Sequence, residues 1–211
     1  MPHETEPGQL FVISAPSGAG KTTLVQRLMA MHDNLRFSIS YTTRPKRANE
    51  IDGRDYNFIG AKAFAAKIAA NDFLEHAQVF DHQYGTSQKY VTGLLNAGHH
   101  VILEIDWQGA EQVRDRMSEC QSIFILPPTV AELRQRLTGR GTDTSEVIER
   151  RFRDAVSDMS HWDDFDFAVI NDDLDAATAK LSAIVSGAPA GNAAAVSNPN
   201  LQAKVAQILA S

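Results

Sequence analysis

A parallel α/β sheet with helices on its faces is the fold class this sequence predicts, and three observations predict it. Apolar runs of strand length alternate with segments of helical period, the first such run ends in a glycine-rich loop that opens a helix, and the longest interruption has a texture of its own.

The alternation is regular. Leu10 to Ser14 is followed by the helical pattern Thr22 to Met31, Val101 to Ile105 by Gln108 to Met117, Ile123 to Leu126 by Val130 to Leu137, and Phe167 to Ile170 by Leu174 to Val185. The helix after Pro128 carries Thr129 and Glu132 in the spacing of a capping box, and Gly139 and Gly141 mark its far end. The interruption, residues 35–96, holds extended pieces at Phe37 to Tyr41, Tyr56 to Ile59 and Phe73 to Phe80, with helical pieces around Phe64 and Val91. It reads as a mixed α/β lobe inserted into a core made of residues 1–34, 97–126 and 161–186. The polar, Arg-rich stretch Gly139 to Arg151 suits a mobile flap within a lid spanning 127–160.

After Val185 the composition changes to Gly187-Ala-Pro-Ala-Gly191 and an Ala/Asn/Ser run, so residues 187–211 read as a flexible linker and a short helix. That helix would set Leu201, Val205, Ile208 and Leu209 on one face, to dock on a second copy in a homo-oligomer or to fray.

A chain of 211 residues, 43% hydrophobic, can bury one sizeable core with lobes attached. Its 26 acidic residues outnumber 20 basic ones, a net charge of -6, which argues against nucleic acid or an anionic membrane as partner. Any anionic substrate must then be held by locally concentrated positive charge. Cys120 has no second cysteine to pair with, no run approaches the ~18 apolar residues of a membrane span, and the N-terminus lacks a signal-like stretch. A cytoplasmic location follows as the expectation.

The first strand ends in Ser14-Ala15-Pro16-Ser17-Gly18-Ala19-Gly20-Lys21-Thr22-Thr23, the Walker A order of strand, glycine loop, Lys-Thr and helix, with Ala15 where the pattern has its first Gly. The sheet is thereby expected to be of the P-loop NTPase type, and this whole stretch is the candidate ATP site. Gly18 and Gly20 let successive N–H groups turn toward phosphate oxygens, and the following helix adds its positive end. Lys21 would reach the β- and γ-phosphates, and the Thr22 hydroxyl would be a ligand of Mg²⁺ accompanying ATP. The loop by itself says only that a nucleoside triphosphate is bound.

The lobe carries Ser38-Ile-Ser-Tyr-Thr-Thr-Arg-Pro-Lys-Arg47, Glu50, Gly53-Arg-Asp-Tyr-Asn-Phe58, Phe73-Leu-Glu-His-Ala77 and Tyr84-Gly-Thr86. At these residues the sequence closely resembles the guanylate kinase family, from about Leu10 to Ile184, including Gly139-Arg-Gly141 and Ile170-Asn-Asp-Asp-Leu174. The resemblance implies Mg-dependent transfer of the γ-phosphoryl of ATP to GMP, with dGMP as a second acceptor, on a GMP-binding lobe closed by a lid. It implies that Ser40, Arg44, Arg47, Tyr56 and Tyr84 hold the GMP phosphate, with Glu50 in the same motif, and that Glu75, Thr86 and Asp106 read guanine. It further implies that Arg140 and Arg151 close over ATP and join Lys21 and Arg44 at the moving phosphoryl group, and that Asn171 meets the adenine end.

The chemistry of these residues is consistent with the roles. Paired guanidinium forks with hydroxyls match a phosphomonoester dianion. A carboxylate beside a hydroxyl matches guanine, whose N1–H and N2–H donors adjoin the O6 acceptor. Asp106 also closes the apolar run Val101-Ile-Leu-Glu-Ile and so reads equally as a Walker B acid organising Mg²⁺, with Glu104 helping through water. Two other readings are a kinase for a different monophosphate, and a phosphopeptide-binding module of the same fold. The first lacks a use for the guanine-reading set; the second, a use for Gly18, Gly20, Lys21 and Thr22.

Overall fold

The computed structural model describes residues 6–79, 81–139 and 145–210. In chain order its elements are β1 (Leu10–Ser14), α1 (Lys21–Met31), β2 (Leu35–Phe37), β3 (Tyr41–Thr42), β4 (Asn57–Phe58), α2 (Ala61–Ala69), β5 (Phe73–Val79), β6 (His82–Ser87), α3 (Gln88–Asn96), β7 (His100–Glu104), α4 (Trp107–Arg116), β8 (Gln121–Leu126), α5 (Val130–Thr138), α6 (Ser145–Asp158), β9 (Phe167–Ile170), α7 (Leu174–Val185) and α8 (Pro199–Leu209). The expected parallel α/β sheet flanked by helices is present, and the strand–helix alternation falls where the apolar periodicity placed it.

The chain forms two compact units, Met1–Val12 with Asn34–Cys120, and Ile13–Asp33 with Gln121–Ser211. Their boundary runs inside β1, whose five residues are all buried, and so differs from the lobe and lid boundaries read from composition.

In the first unit the strand order is β2-β7-β1, with β2 and β7 parallel from Leu35↔His100 to Phe37↔Ile102. Phe37, expected in the inserted lobe, therefore belongs to the main sheet. A second sheet in this unit has the order β4-β3-β6-β5. Its β6 was hidden in the sequence because His82-Gln-Tyr-Gly-Thr-Ser87 has no apolar alternation; pairing with β5 as an antiparallel hairpin makes it a strand. Phe64 of α2 and Phe73 of β5, both fully buried with ring centroids 4.7 Å apart, form the core beneath this sheet.

In the second unit the order is β1-β8-β9, with β8 and β9 parallel from Ile123↔Phe167 to Leu126↔Ile170. Leu24 and Leu28 of α1 are fully buried, and Phe124 meets Phe165 edge-on at 5.1 Å. The Thr129 cap is realised, its Oγ1 accepting from Glu132 N at 3.0 Å.

The tail corrects an expectation. The stretch read as a flexible linker contains a 3-10 turn, Pro189–Ala194, laid on α7. Gly191 permits this approach, since a Cβ there would stand 3.1 Å from the Ile184 backbone. Ala195 bridges to Phe167 and Val196 N donates to Asp166 O, covering the free side of β9. Leu201, Val205 and Ile208 of α8 are buried within the chain itself, and only Leu209 of the expected face is exposed. Among the described residues no helix is long and apolar enough to cross a membrane.

Candidate active site

Within the second unit, side chains from three segments brace the loop between β1 and α1. Gly18 and Gly20 adopt φ of 94° and 93°, the left-handed region that favours glycine. At Gly20 space forbids a side chain as well, because a Cβ would lie 2.5 Å from Asn171 Nδ2. That amide donates to Ala19 O at 2.8 Å, and Arg136 Nη1 donates to the same oxygen at 3.2 Å while its Nη2 reaches Asn171 O. Glu132 pairs with Arg136 one helical turn away. Arg151 of α6 donates to Ser17 Oγ at 2.8 Å.

The helix that follows has Gly20 as its N-cap and no side-chain cap. Its first-turn N–H groups and the positive end of the helix dipole favour negative charge at this end, and Lys21 opens the same turn. Thr22 stands in the same turn.

Within the first unit two polar clusters stand out. In one, the Arg44 guanidinium pairs with the Glu50 carboxylate, hydrogen-bonds Tyr84 and lies 5.4 Å from the Tyr56 ring centroid and 5.6 Å from that of Phe58. Tyr56 and Tyr84 meet edge-on at 5.9 Å. Glu50 also accepts from Arg47 N at 2.7 Å, which closes the 44–50 loop. The bond to Glu50 is the main cause holding Arg44 above its usual pKa, and Arg44 holds Glu50 below the usual carboxylate range. Burial, aided by Tyr84 and Glu104, pushes the Tyr56 phenol up.

The other cluster joins β5, β6 and the start of α4. Glu75 and Thr86 are cross-strand partners, and Thr86 Oγ1 donates to Glu75 Oε1 at 2.6 Å. Both are buried, Glu75 at 3% exposure. Burial raises the Glu75 carboxyl to about 7; the Thr86 hydroxyl opposes that shift and the nearby Asp106 adds to it. Asp106 is the N-cap of α4, its Oδ1 accepting from Gly109 N at 2.7 Å. Gln112 exchanges hydrogen bonds with His76 N and O, and Arg116 donates to Phe73 O at 2.7 Å, so α4 grips β5 on both sides of Glu75.

The structure thus brings together Arg44, Glu50, Tyr56, Tyr84 and the Arg47 backbone in one cluster, and Glu75, Thr86 and Asp106 in another. Ser40 enters through its carbonyl, which accepts from Asn57 N beside Tyr56. Asn171, expected at the adenine end, has its amide committed to the loop backbone. Arg140 lies outside the described residues. Sequence reasoning missed Arg136, Gln112, Arg116 and Gly109. The signal for the polar three was a long hydrogen-bonding side chain on the inward stripe of an amphipathic helix.

A strand, glycine loop and helix of this geometry, set at the end of a parallel strand, define a P-loop nucleotide-binding protein. The family model described as Guanylate kinase matches residues 7–188. The guanylate kinase of Alkalilimnicola ehrlichii is 55% identical over 178 residues, 84% of this chain and 88% of that one. The guanylate kinase of Hydrogenovibrio crunogenus is also 55% identical, over 84% of this chain and 86% of its own. Among solved structures, guanylate kinase from Anaplasma phagocytophilum superposes with a TM-score of 0.72 at 30% identity, covering 87% of each chain. The chain belongs to the guanylate kinase family.

Proposed function

We propose that this chain transfers the γ-phosphoryl group of ATP to GMP, giving ADP and GDP. The observation that carries the reading is the buried Glu75–Thr86 pair beside Asp106. A carboxylate there takes the N1–H and N2–H of guanine, with the Thr86 hydroxyl near O6. Adenine would set its N1 lone pair against Glu75 and leave a buried charge unpaired, a mismatch that discriminates strongly. These residues face the base and the phosphate, so dGMP serves as a second acceptor.

The part of residues 35–96 that follows β2 forms the GMP lobe, where Arg44 and Arg47 with Ser40, Tyr56 and Tyr84 hold the phosphate. Glu50 belongs to this site as the group that orients Arg44, since a carboxylate placed against a phosphate dianion would repel it. Asp106, capped by Gly109 N and next to Glu75, acts on the guanine side. Ser14 to Thr23 cradle the ATP phosphates, and Asn171 and Arg136 hold that cradle in shape.

Mg²⁺ fits this donor set only in company with the nucleotide. Among the described residues no group of three His, Cys, Asp or Glu side chains could hold a metal, whereas Thr22, in the turn that opens α1, offers the single hydroxyl oxygen that Mg²⁺ uses alongside phosphates. When bound it would supply positive charge that neutralises the transferring phosphates.

A GMP phosphate oxygen, already ionised near neutral pH, attacks the γ-phosphorus, and the bond to the β-bridging oxygen breaks to release ADP. No catalytic base is required. The chain contributes alignment of two polyanions and positive charge around the moving group from Lys21, Arg44 and, on a lid of residues 127–160, Arg140 and Arg151. The lid also excludes water that would hydrolyse ATP. ATP, GMP and a reduced Cys120 all suit the cytoplasm.

The test is ADP release from Mg-ATP with GMP, AMP, CMP, UMP or no acceptor. Release with GMP alone is expected. Equal release with another base, or none with GMP in a folded sample, would overturn the reading.

A further inference from the structure

The geometry points to Gly109 as the positioning residue for guanine recognition: by lacking a side chain it leaves room for the Glu75 and Asp106 carboxylates side by side, and its N–H fixes one of them. The inference rests on the reading of those two acids as the guanine-binding pair.

Nothing in the backbone at position 109 asks for glycine. It is the third residue of α4 and is not among the residues with positive φ. In such a position glycine is the poorest helix former after proline, so alanine would be favoured unless space forbids it.

Space does forbid it. A Cβ on residue 109 would stand 2.9 Å from Glu75 Oε2 and 3.1 Å from Asp106 Oδ1. Both acids thus converge on the one point that the missing methyl would fill.

Neither acid can retreat cheaply. The other Glu75 oxygen is held by Thr86 Oγ1, and Glu75 and Thr86 are registered across the β5–β6 hairpin. Asp106 Oδ1 is tied to the N–H of residue 109 itself. The helix cannot back away either, because Gln112 and Arg116, three and seven residues on, are bonded to the backbone of His76 and Phe73. A methyl at 109 therefore displaces the Glu75 carboxylate from the position in which it meets guanine.

The test is steady-state kinetics of the full chain with Gly109→Ala, Glu75→Ala and the double variant, folding being checked by thermal melting. Gly109→Ala is expected to raise KM for GMP about ten-fold or more, the loss of one charge-assisted hydrogen bond, while kcat at saturating GMP and KM for ATP stay within about two-fold. In the Glu75→Ala background the same substitution should change KM for GMP much less, since the nearer of the two carboxylates it meets is gone. An unchanged KM for GMP in Gly109→Ala, an equal rise in both KM values, or a full additional effect in the double variant would overturn the inference. If Gly109→Ala fails to melt cooperatively, recovery of a cooperative melt in the double variant supports the contact with Glu75, and failure in both overturns it. Glu75→Ala separates the two levels. Should it leave KM for GMP unchanged, the reading of the guanine site fails along with this inference; should it raise KM while Gly109→Ala does not, only Gly109 falls.

Discussion

Arg44 and Glu50 meet fork to fork: Nη1 donates to Oε2 at 3.0 Å and Nη2 to Oε1 at 2.6 Å, and both side chains are largely withdrawn from solvent. The arginine proposed to hold the GMP phosphate is therefore oriented by a carboxylate that engages both of its Nη groups. Replacement by glutamine keeps the shape and removes the charge that orients the fork. Glu50→Gln is expected to raise KM for GMP by about ten-fold with KM for ATP unchanged. Tighter GMP binding would mean instead that Glu50 competes with the phosphate for Arg44.

Glu75 makes two predictions with one substitution. Glu75→Gln exchanges an acceptor facing guanine for a donor, so KM for GMP should rise about a hundred-fold while ATP binding is spared; equal damage to both would contradict the assignment. The second concerns stability. The fold raises this carboxyl from 4.5 to about 7, so the folded state binds the proton more tightly than the unfolded chain. Stability contributed by the group is full below about 4.5, declines as pH rises toward 7, and above that carries a penalty on the order of 3 kcal/mol. Without ligand, Glu75→Gln should melt higher than wild type at pH 8 and alike at pH 5. A gain of the same size at both would show that the carboxylate is not the source.

Lys21 opens α1 in the second unit, whereas the residues proposed to hold GMP all belong to the first. Lys21→Ala should lower kcat by about a hundred-fold or more, with the calorimetric Kd for GMP within about three-fold of wild type. Abolished GMP binding would refute this division of labour.

The sequence showed why a glycine loop should exist but not what keeps it in shape. Gly18, Gly20, Lys21 and Thr22 were legible because strand, loop and helix are contiguous in the chain. Arg136 and Asn171 were not legible as braces, since their bonds to Ala19 O span 117 and 152 residues and leave no local pattern. The same holds in the lobe. Arg44 announces itself through Ser-x-x-x-Arg-x-x-Arg, yet the partner that occupies it, Glu50, reads from sequence as one more ligand. Apolar periodicity located the main sheet, where burial dictates it, and failed at β6 and in the Ala-rich tail. There, cross-strand pairing and the close approach allowed by Gly191 decide the structure.

Removing the Asn171 amide tests the brace. Asn171→Ala leaves Ala19 O with one donor fewer and opens space above Gly20. It should raise KM for ATP about ten-fold and cost about 1–2 kcal/mol of stability, with KM for GMP unchanged. Gly20→Ala, which meets both a left-handed φ and a contact of 2.5 Å, should be more damaging still. An ATP KM unaffected by Asn171→Ala would confine that residue to packing.

β5 is the last strand of its sheet, and such a strand ordinarily presents a row of unpaired peptide groups that recruits neighbouring chains. Here the Gln112 amide takes both peptide groups of His76 and Arg116 takes the Phe73 carbonyl, so two side chains stand in for a missing strand. The contacts that flank Glu75 thus also cover the exposed edge of the lobe's sheet. Loss of either side chain would therefore loosen the strand that carries Glu75 and bare the edge of the sheet at once.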